Sequence, residues 1–254
     1  MKIVVCYKWV LDEADIIVDR EKQVLDTKRA KYKVSEIDRN ALMLGSELAD
    51  DDELVTLTAG ATVKNSLKDV LSRGADKAYY IETPQLESAA TAKVLAAAIK
   101  KIGAVDLVLC GEGSSDQYSQ QVGPRIAALL NWSLVTYASS VTVANDQLTV
   151  VRKLEDDIET VSVQTPAVLS VVSEINQPKT PGMKQILAAR KKPSEAFTIA
   201  DLDLTDEVLT TPVKVTDVGP AVMKRHQVRL NEADVTLAQA AENLAELLKK
   251  NEIV

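Results

Sequence analysis

The 254-residue sequence predicts an α/β protein: a parallel β-sheet covered by helices on both faces, with an added β-hairpin region and a C-terminal arm and helix. Three observations carry this expectation. Through the first half, short β-branched apolar runs alternate with segments of helical apolar spacing, the pattern of βαβ crossovers. Beyond about residue 133 the apolar period shortens to two, that of a strand with one buried face. Aromatic residues are only 4% of a chain that is 46% hydrophobic, so the core is expected to be built from Val, Leu, Ile and Ala.

Residues 3–7 are a short apolar run rich in β-branched side chains, a buried strand. Ile37, Ala41, Leu44 and Leu48 fall on one face of a helix. Residues 54–58 read as a second strand, closed by Ala59-Gly60. Val63, Leu67, Val70 and Leu71 mark the next helix, with Gly74 where a C-terminal cap belongs. Residues 78–81 are a third strand. Ala92, Leu95, Ile99 and Ile102 then mark a third helix, ended by Gly103. Residues 107–110 are a fourth strand, entered through Asp106. After a loop at 111–116, Ile126, Leu129 and Leu130 make 121–130 helical.

Val141, Val143 and then Leu148, Val150 alternate across the polar pair Asn145-Asp146, which reads as a β-hairpin. Residues 159–163 and 167–172 are further strands. Two prolines and a glycine make 176–182 a loop, followed by a short helix at 183–189 and a basic run at 190–193. From there to about residue 229 periodicity is weak, with an acidic patch at 201–207, so the segment reads as an extended arm. Leu237, Ala241, Leu244 and Leu248 close the chain with a helix. Asp234 near its start and Lys249-Lys250 at its end suit the helix dipole.

The composition excludes several classes. A net charge of −7 argues against a general nucleic-acid binder, which needs a basic face to displace counterions. The N-terminal apolar run is too short for a signal peptide and no 18-residue apolar stretch occurs, so a cytoplasmic protein without membrane insertion is expected. Cys6 and Cys110 lie in or at the end of strand-like runs, where buried, reduced thiols are expected. The one histidine, His226, falls in the weakly patterned tail and is expected to be solvent-exposed. No Cys or His cluster has metal-ligand spacing. Ser114 and Ser115 lack a G-x-S-x-G elbow and a nearby base. No catalytic residue and no metal site is therefore expected.

The most informative stretch is Gly111-Glu112-Gly113-Ser114-Ser115-Asp116, which follows a buried strand and precedes a helix. In an open parallel sheet, ligands collect at such turns. The glycines permit close backbone approach, and the free N–H groups of the following helix favour a phosphate. Asp116 could accept from a ribose hydroxyl or cap the helix. The same pattern also fits a plain connecting loop with a helix cap. It is neither a Walker A loop nor G-x-G-x-x-G with a ribose-binding acid.

The run Val151-Arg152-Lys153-Leu154-Glu155-Asp156-Asp157-Ile158-Glu159-Thr160-Val161, followed after four residues by Pro166-Ala167-Val168-Leu169-Ser170, resembles the signature of electron-transfer flavoprotein β subunits. The resemblance extends over nearly the whole chain. Asp69-Val70-Leu71-Ser72-Arg73-Gly74 and Gln120-Gln121-Val122-Gly123 look closest to the FixA- and YdiQ-like branch, associated with carnitine or acyl-CoA metabolism. The resemblance implies an adenine nucleotide α-hydrolase-like, Rossmann-like domain over 1–190. It also implies an arm and helix over 191–254 that contact an α subunit holding the redox FAD. This chain would bind AMP or, in electron-bifurcating members that oxidise NADH, a second FAD. Carried over by position, the site is Cys6 (backbone), Ser35, Asp38, Ala59, Gly60, Gly111, Glu112, Gly113, Ser114, Ser115, Asp116, Ser119, Gln120, Gln121 and Val122.

The segment at 174–192 would dock an acyl-CoA-type dehydrogenase through Asn176, Pro178, Met183, Ile186 and Leu187, with Met183 as apolar anchor. Gly113 and Tyr118 depart from the family's G-x-Q-x-x-D-x-D, and Ser35 stands where many members carry Asn, which leaves the nucleotide open. The competing class is a universal-stress-type adenine-nucleotide-binding regulator, or an ATP-using enzyme of the same superfold. Those proteins lack the 150–170 signature, and the PP-loop pattern S-G-G-x-D-S is absent.

Overall fold

The computed structural model describes residues 1–50, 52–144, 147–210, 213, 215–221, 228–230 and 235–253. Strand β1 (Lys2–Cys6) sends alternate side chains into two cores. Ile3 and Val5 enter one, Val4 and Cys6 the other. A strand buried on both faces reads as an unbroken apolar run, which is how the sequence shows it.

Next come β2 (Trp9–Leu11), β3 (Ile17–Asp19), β4 (Val24–Asp26) and β5 (Tyr32–Val34), none of them expected from the sequence. They form two small antiparallel pairs, β2 with β5 and β3 with β4. Ile17, Val18 and Val24 are exposed, so no buried face imprinted a period on this stretch.

The βαβ series follows: α1 (Glu36–Ala49), β6 (Glu53–Gly60), α2 (Leu67–Ser72), β7 (Lys77–Glu82), α3 (Ser88–Ile102), β8 (Leu107–Gly111) and α4 (Val122–Leu130). Helices α1 and α2 pack on the Ile3/Val5 face, α3 and α4 on the other. The helix expected from Val63 is divided. Residues Val63–Ser66 form a 3-10 turn in which Ser66 Oγ donates to Val63 O at 2.6 Å, and α2 starts only at Leu67. Gly74 has φ +123°, and a Cβ there would lie 2.5 Å from Ser46 Oγ, so glycine lets the turn pass against α1. Asp106 and Asp76, just before β8 and β7, accept the backbone N–H groups of Lys2 and Leu54 and align the strand starts.

The rest is β9 (Ser133–Ala144), β10 (Gln147–Lys153), β11 (Ile158–Gln164), β12 (Ala167–Val171), α5 (Met183–Ala189), β13 (Ser194–Ala196) and α6 (Leu237–Lys250). One nine-stranded sheet has the order β11-β10-β9-β12-β8-β1-β6-β7-β13. It is parallel from β9 to β13, and β10 and β11 add antiparallel strands at one edge. The signature run is the β10–β11 pair, with Arg152 Nε 2.9 Å from Glu159 Oε2 and Leu154 N donating to Asp157 O across the acidic turn. The expected Asn145-Asp146 turn lies outside the described residues.

The expected arm begins differently. Residues 194–196 add an edge strand to β7, and Phe197 and Leu202 are buried in the α3/α4 core. The sheet therefore continues past residue 190. A three-residue Ser-Glu-Ala strand with every side chain exposed carries no apolar period, and its cross-strand side-chain contact is the ion pair of Glu195 with Lys77. Helix α6 is capped by Thr236, whose hydroxyl accepts from Gln239 N, and none of its residues is buried. Among the described residues no helix is long and apolar enough to cross a membrane.

Candidate functional site

The chain runs β1, β6, β7 to one side of the sheet and then returns to place β8 on the other side of β1. The junction of β1 and β8 is a topological switch point, where the loops after adjacent strands part and leave a crevice. A pocket partly open to solvent lies there. Its floor is made by Cys6 and Cys110, at the ends of β1 and β8.

The first turn of α1 builds one wall. Asp38, 5% exposed, accepts the Lys8 N–H on Oδ2 at 2.8 Å and the Gly111 N–H on Oδ1 at 2.9 Å. It thereby clamps the loops after β1 and β8 together. Gly111 is required here, since a Cβ would lie 2.8 Å from Asp38 Oδ1. Ser35, fully buried, accepts the Ser115 N–H on Oγ at 3.2 Å, and its own N–H donates to Lys8 O. Burial pushes the Asp38 carboxyl up to about 6, against the pull of the two N–H donors. Burial, then the nearby Asp38, pushes the Cys110 thiol up to about 12, and burial raises Cys6 well above its ordinary value.

Lys8 stands at the rim, with Nζ 2.7 Å from Asp116 Oδ2 and 3.1 Å from Gln117 Oε1. Burial raises Asp116, but hydrogen bonds from Lys8 and Ser114 and the Lys8 charge outweigh it, so its carboxyl sits below the usual range.

Of the expected site residues, Cys6, Asp38, Ala59, Gly60, Gly111, Glu112, Gly113, Ser114, Ser119, Gln120, Gln121 and Val122 line this one pocket. Ser35, Ser115 and Asp116 do not line it; they tie the loop to α1 and to Lys8. Sequence reasoning missed the far wall, Gln85, Leu86, Ser88 and Thr91, between β7 and α3. Their signal was positional only: they follow the carboxyl end of a parallel strand. Lys8 and Val63 were also missed as lining residues.

The pocket offers the first backbone N–H groups of α4, the Lys8 ammonium, the Ser114 and Ser119 hydroxyls, and apolar surface from Val63, Leu86 and Leu95. Helix-start N–H groups, an ammonium and hydroxyls favour an anion, and the aliphatic side chains favour an apolar group. Among the described residues no His lines it, and burial raises both its thiols, which disfavours the nucleophilic thiolate. His226 lies outside the described residues. Among the described residues no group of three or more His, Cys, Asp or Glu could hold a metal ion.

The expected docking residues lie together, apart from the pocket. Met183 and Leu187, one turn apart on α5, are 72% and 51% exposed, whereas Ile186 is half-buried and α5 packs beside α2. Pro178 lines a groove with Arg39 and Arg73, and Asn176 bonds to Asn40 of α1.

Residues 23–202 match the family model described as the electron transfer flavoprotein domain. Among solved structures, the chain is similar to the DNA/pantothenate metabolism flavoprotein from Streptococcus pneumoniae at 8% identity and a TM-score of 0.19, over 64% of this chain and 91% of that one.

Proposed function

Because the chain belongs to the electron transfer flavoprotein domain family, we propose that it is the β subunit of a heterodimeric electron-transfer flavoprotein, of the FixA- and YdiQ-like branch, working in the cytoplasm. The observation that carries the reading to a ligand is the pocket at the β1–β8 switch point, lined by the glycine-bearing loop and the start of α4. We infer that it holds an adenine nucleotide, AMP or the adenylate part of a second FAD.

The residues fit such a group. Gly111 and Gly113 bring backbone, without side chains, to the rim. The α4 N–H groups and Lys8 would hold phosphate, and Leu86, Leu95 and Val63 would face the base. Asp38 and Ser35 would hold the loop in the binding shape, and the buried floor would exclude water. Flavin, when bound, supplies the redox chemistry, and the protein positions it.

The chain thus acts as an electron carrier's scaffold. The α subunit holds the main FAD, and the exposed Met183–Leu187 face of α5 meets an acyl-CoA- or carnitine-type dehydrogenase. Helix α6, amphipathic and without a buried residue, is suited to lie on the α subunit. The test is to purify the chain with its α partner and count flavin and AMP per heterodimer. One FAD and one AMP supports the reading, and two FAD with NADH oxidation supports the bifurcating version. A nucleotide-free complex, or a homodimer that hydrolyses ATP, overturns it.

A further inference from the structure

Helix α1 touches both the loop after β8 and the chain leaving β12, neighbouring strands that are also joined directly where Glu112 N donates to Val171 O. Ser35 and Asp38 hold the pocket loops. Asn40 stands two residues further, about 200° around the helix axis and ~3 Å along it, and is 5% exposed. Its Nδ2 donates to Ser173 O at 2.8 Å and Asn176 O at 2.9 Å, with Asn176 Oδ1 at 3.1 Å. In return Asn176 Nδ2 donates to Asn40 O at 3.1 Å. These bonds span 133 to 136 residues of sequence. They seize the chain where it leaves the Ser173–Ile175 3-10 turn and enters the docking segment.

Buried amides with satisfied partners hold one geometry, because leaving such a group unpaired costs ~1–3 kcal/mol. The far end of the segment is tied to the body by Lys192, whose Nζ donates to Ala75 O at 2.6 Å and Gly74 O at 3.3 Å, but residues 177–180 have few polar anchors. Arg73 Nη1 donates to Lys179 O at 3.3 Å, an exposed contact. Asn40 is therefore the main buried polar mount of residues 173–180, and it is fixed on the helix that clamps the pocket.

We propose that Asn40 is the positioning residue of the docking segment and couples it to the nucleotide pocket, so that a bound nucleotide stiffens residues 173–180. The coupling rests on the nucleotide reading above. A ligand that orders the loop at 111–115 restrains Asp38 and Ser35, hence the first two turns of α1, hence Asn40. Ordering already supplied by one ligand need not be supplied again by the other, so the effect is reciprocal between nucleotide and docking partner.

The test is amide hydrogen exchange on the full chain in complex with its α subunit, stripped of nucleotide and then given AMP. Wild type is compared with Asn176→Ala, which removes the exchange partner from a half-buried loop position, and with Asn40→Ala. Thermal melts confirm that both variants are folded. AMP is expected to slow exchange at 111–123 in all three proteins. It is expected to slow exchange at 173–180 at least threefold in wild type and less than 1.5-fold in either variant. Protection at 111–123 with none at 173–180 in wild type overturns the coupling and leaves the nucleotide reading standing. So does protection at 173–180 that persists in both variants. Protection at neither segment removes the nucleotide reading and the coupling with it.

Discussion

The ring of Tyr118 fills the space that a side chain at position 113 would need. A Cβ built on Gly113 would lie 2.8 Å from Tyr118 Cδ2 and 3.1 Å from its Cγ. Tyr118 is held there by its hydroxyl, which donates to the Glu112 carboxylate, a bond that raises the Tyr118 hydroxyl to about 12. The two positions that depart from the family's loop pattern are thus one complementary pair. Gly113→Gln alone is expected to destabilise the loop by ~1–3 kcal/mol through overpacking. Combining it with Tyr118→Asp is expected to restore much of the loss. A double-mutant cycle by thermal denaturation measures this, and additive effects would refute the pairing.

Lys8 and Asp116 make the charge balance of the rim. Lys8→Met is expected to weaken AMP binding about tenfold, equivalent to ~1.4 kcal/mol, and to let the Asp116 carboxyl rise. Because Asp116 is held below its ordinary value, its stabilising contribution is present above that value and is lost as pH falls through the lowered one. Titration calorimetry with AMP decides; an unchanged affinity would place the phosphate away from Lys8.

How far the sequence reveals this molecule follows from burial. Val4, Leu57 and Val108 sit in strands buried on both faces, and such runs are visible as apolar runs. Strands β2 to β5 and β13 are only three residues long and bury at most one side chain each, too few to show a period. The loop 111–123 was legible because glycines after a buried strand have a mechanical meaning. Gln85 and Thr91 were not, since only the strand order brings the β7–α3 connection over the pocket. The Asn40–Asn176 pair joins positions 136 residues apart, and no local rule signals it.

Asp38 has a stability signature of the opposite sign to Asp116. Burial raises its folded value from the ordinary 3.8 of an aspartate to about 6, so the native state binds the extra proton in that window. Its contribution to stability is present below about pH 4 and lost as pH rises through about 6, an effect of ~3 kcal/mol at most. Urea denaturation from pH 3.5 to 7.5 on wild type and Asp38→Asn gives the difference curve. A difference that grows more favourable to wild type as pH rises from 4 to 6 would contradict the assignment.

Cys6 and Cys110 are buried free thiols with raised values, at the pocket floor. A thiol reacts as its thiolate, so both are expected to resist iodoacetamide in the native protein and to label fully in denaturant. Bound AMP should not change native labelling. Rapid native alkylation of either cysteine, read by mass spectrometry, would mean that the floor opens to solvent.

On α5, exposure separates contact from packing. Met183 and Leu187 are exposed apolar side chains one turn apart, whereas Ile186 is half-buried and the helix lies beside α2. Substituting an exposed side chain changes folding stability little, within ~0.5 kcal/mol. Met183→Glu and Leu187→Glu are therefore expected to leave the melting temperature nearly unchanged while lowering electron transfer from the partner dehydrogenase at least tenfold. Ile186→Ala removes packing and is expected to show the reverse order, a lower melting temperature with a smaller change in transfer at a temperature where the variant is folded. Stopped-flow reduction of the heterodimer's flavin by the dehydrogenase reads the first effect, and calorimetry reads the second. If both glutamate variants are reduced at the wild-type rate, this face of α5 is not where the dehydrogenase docks.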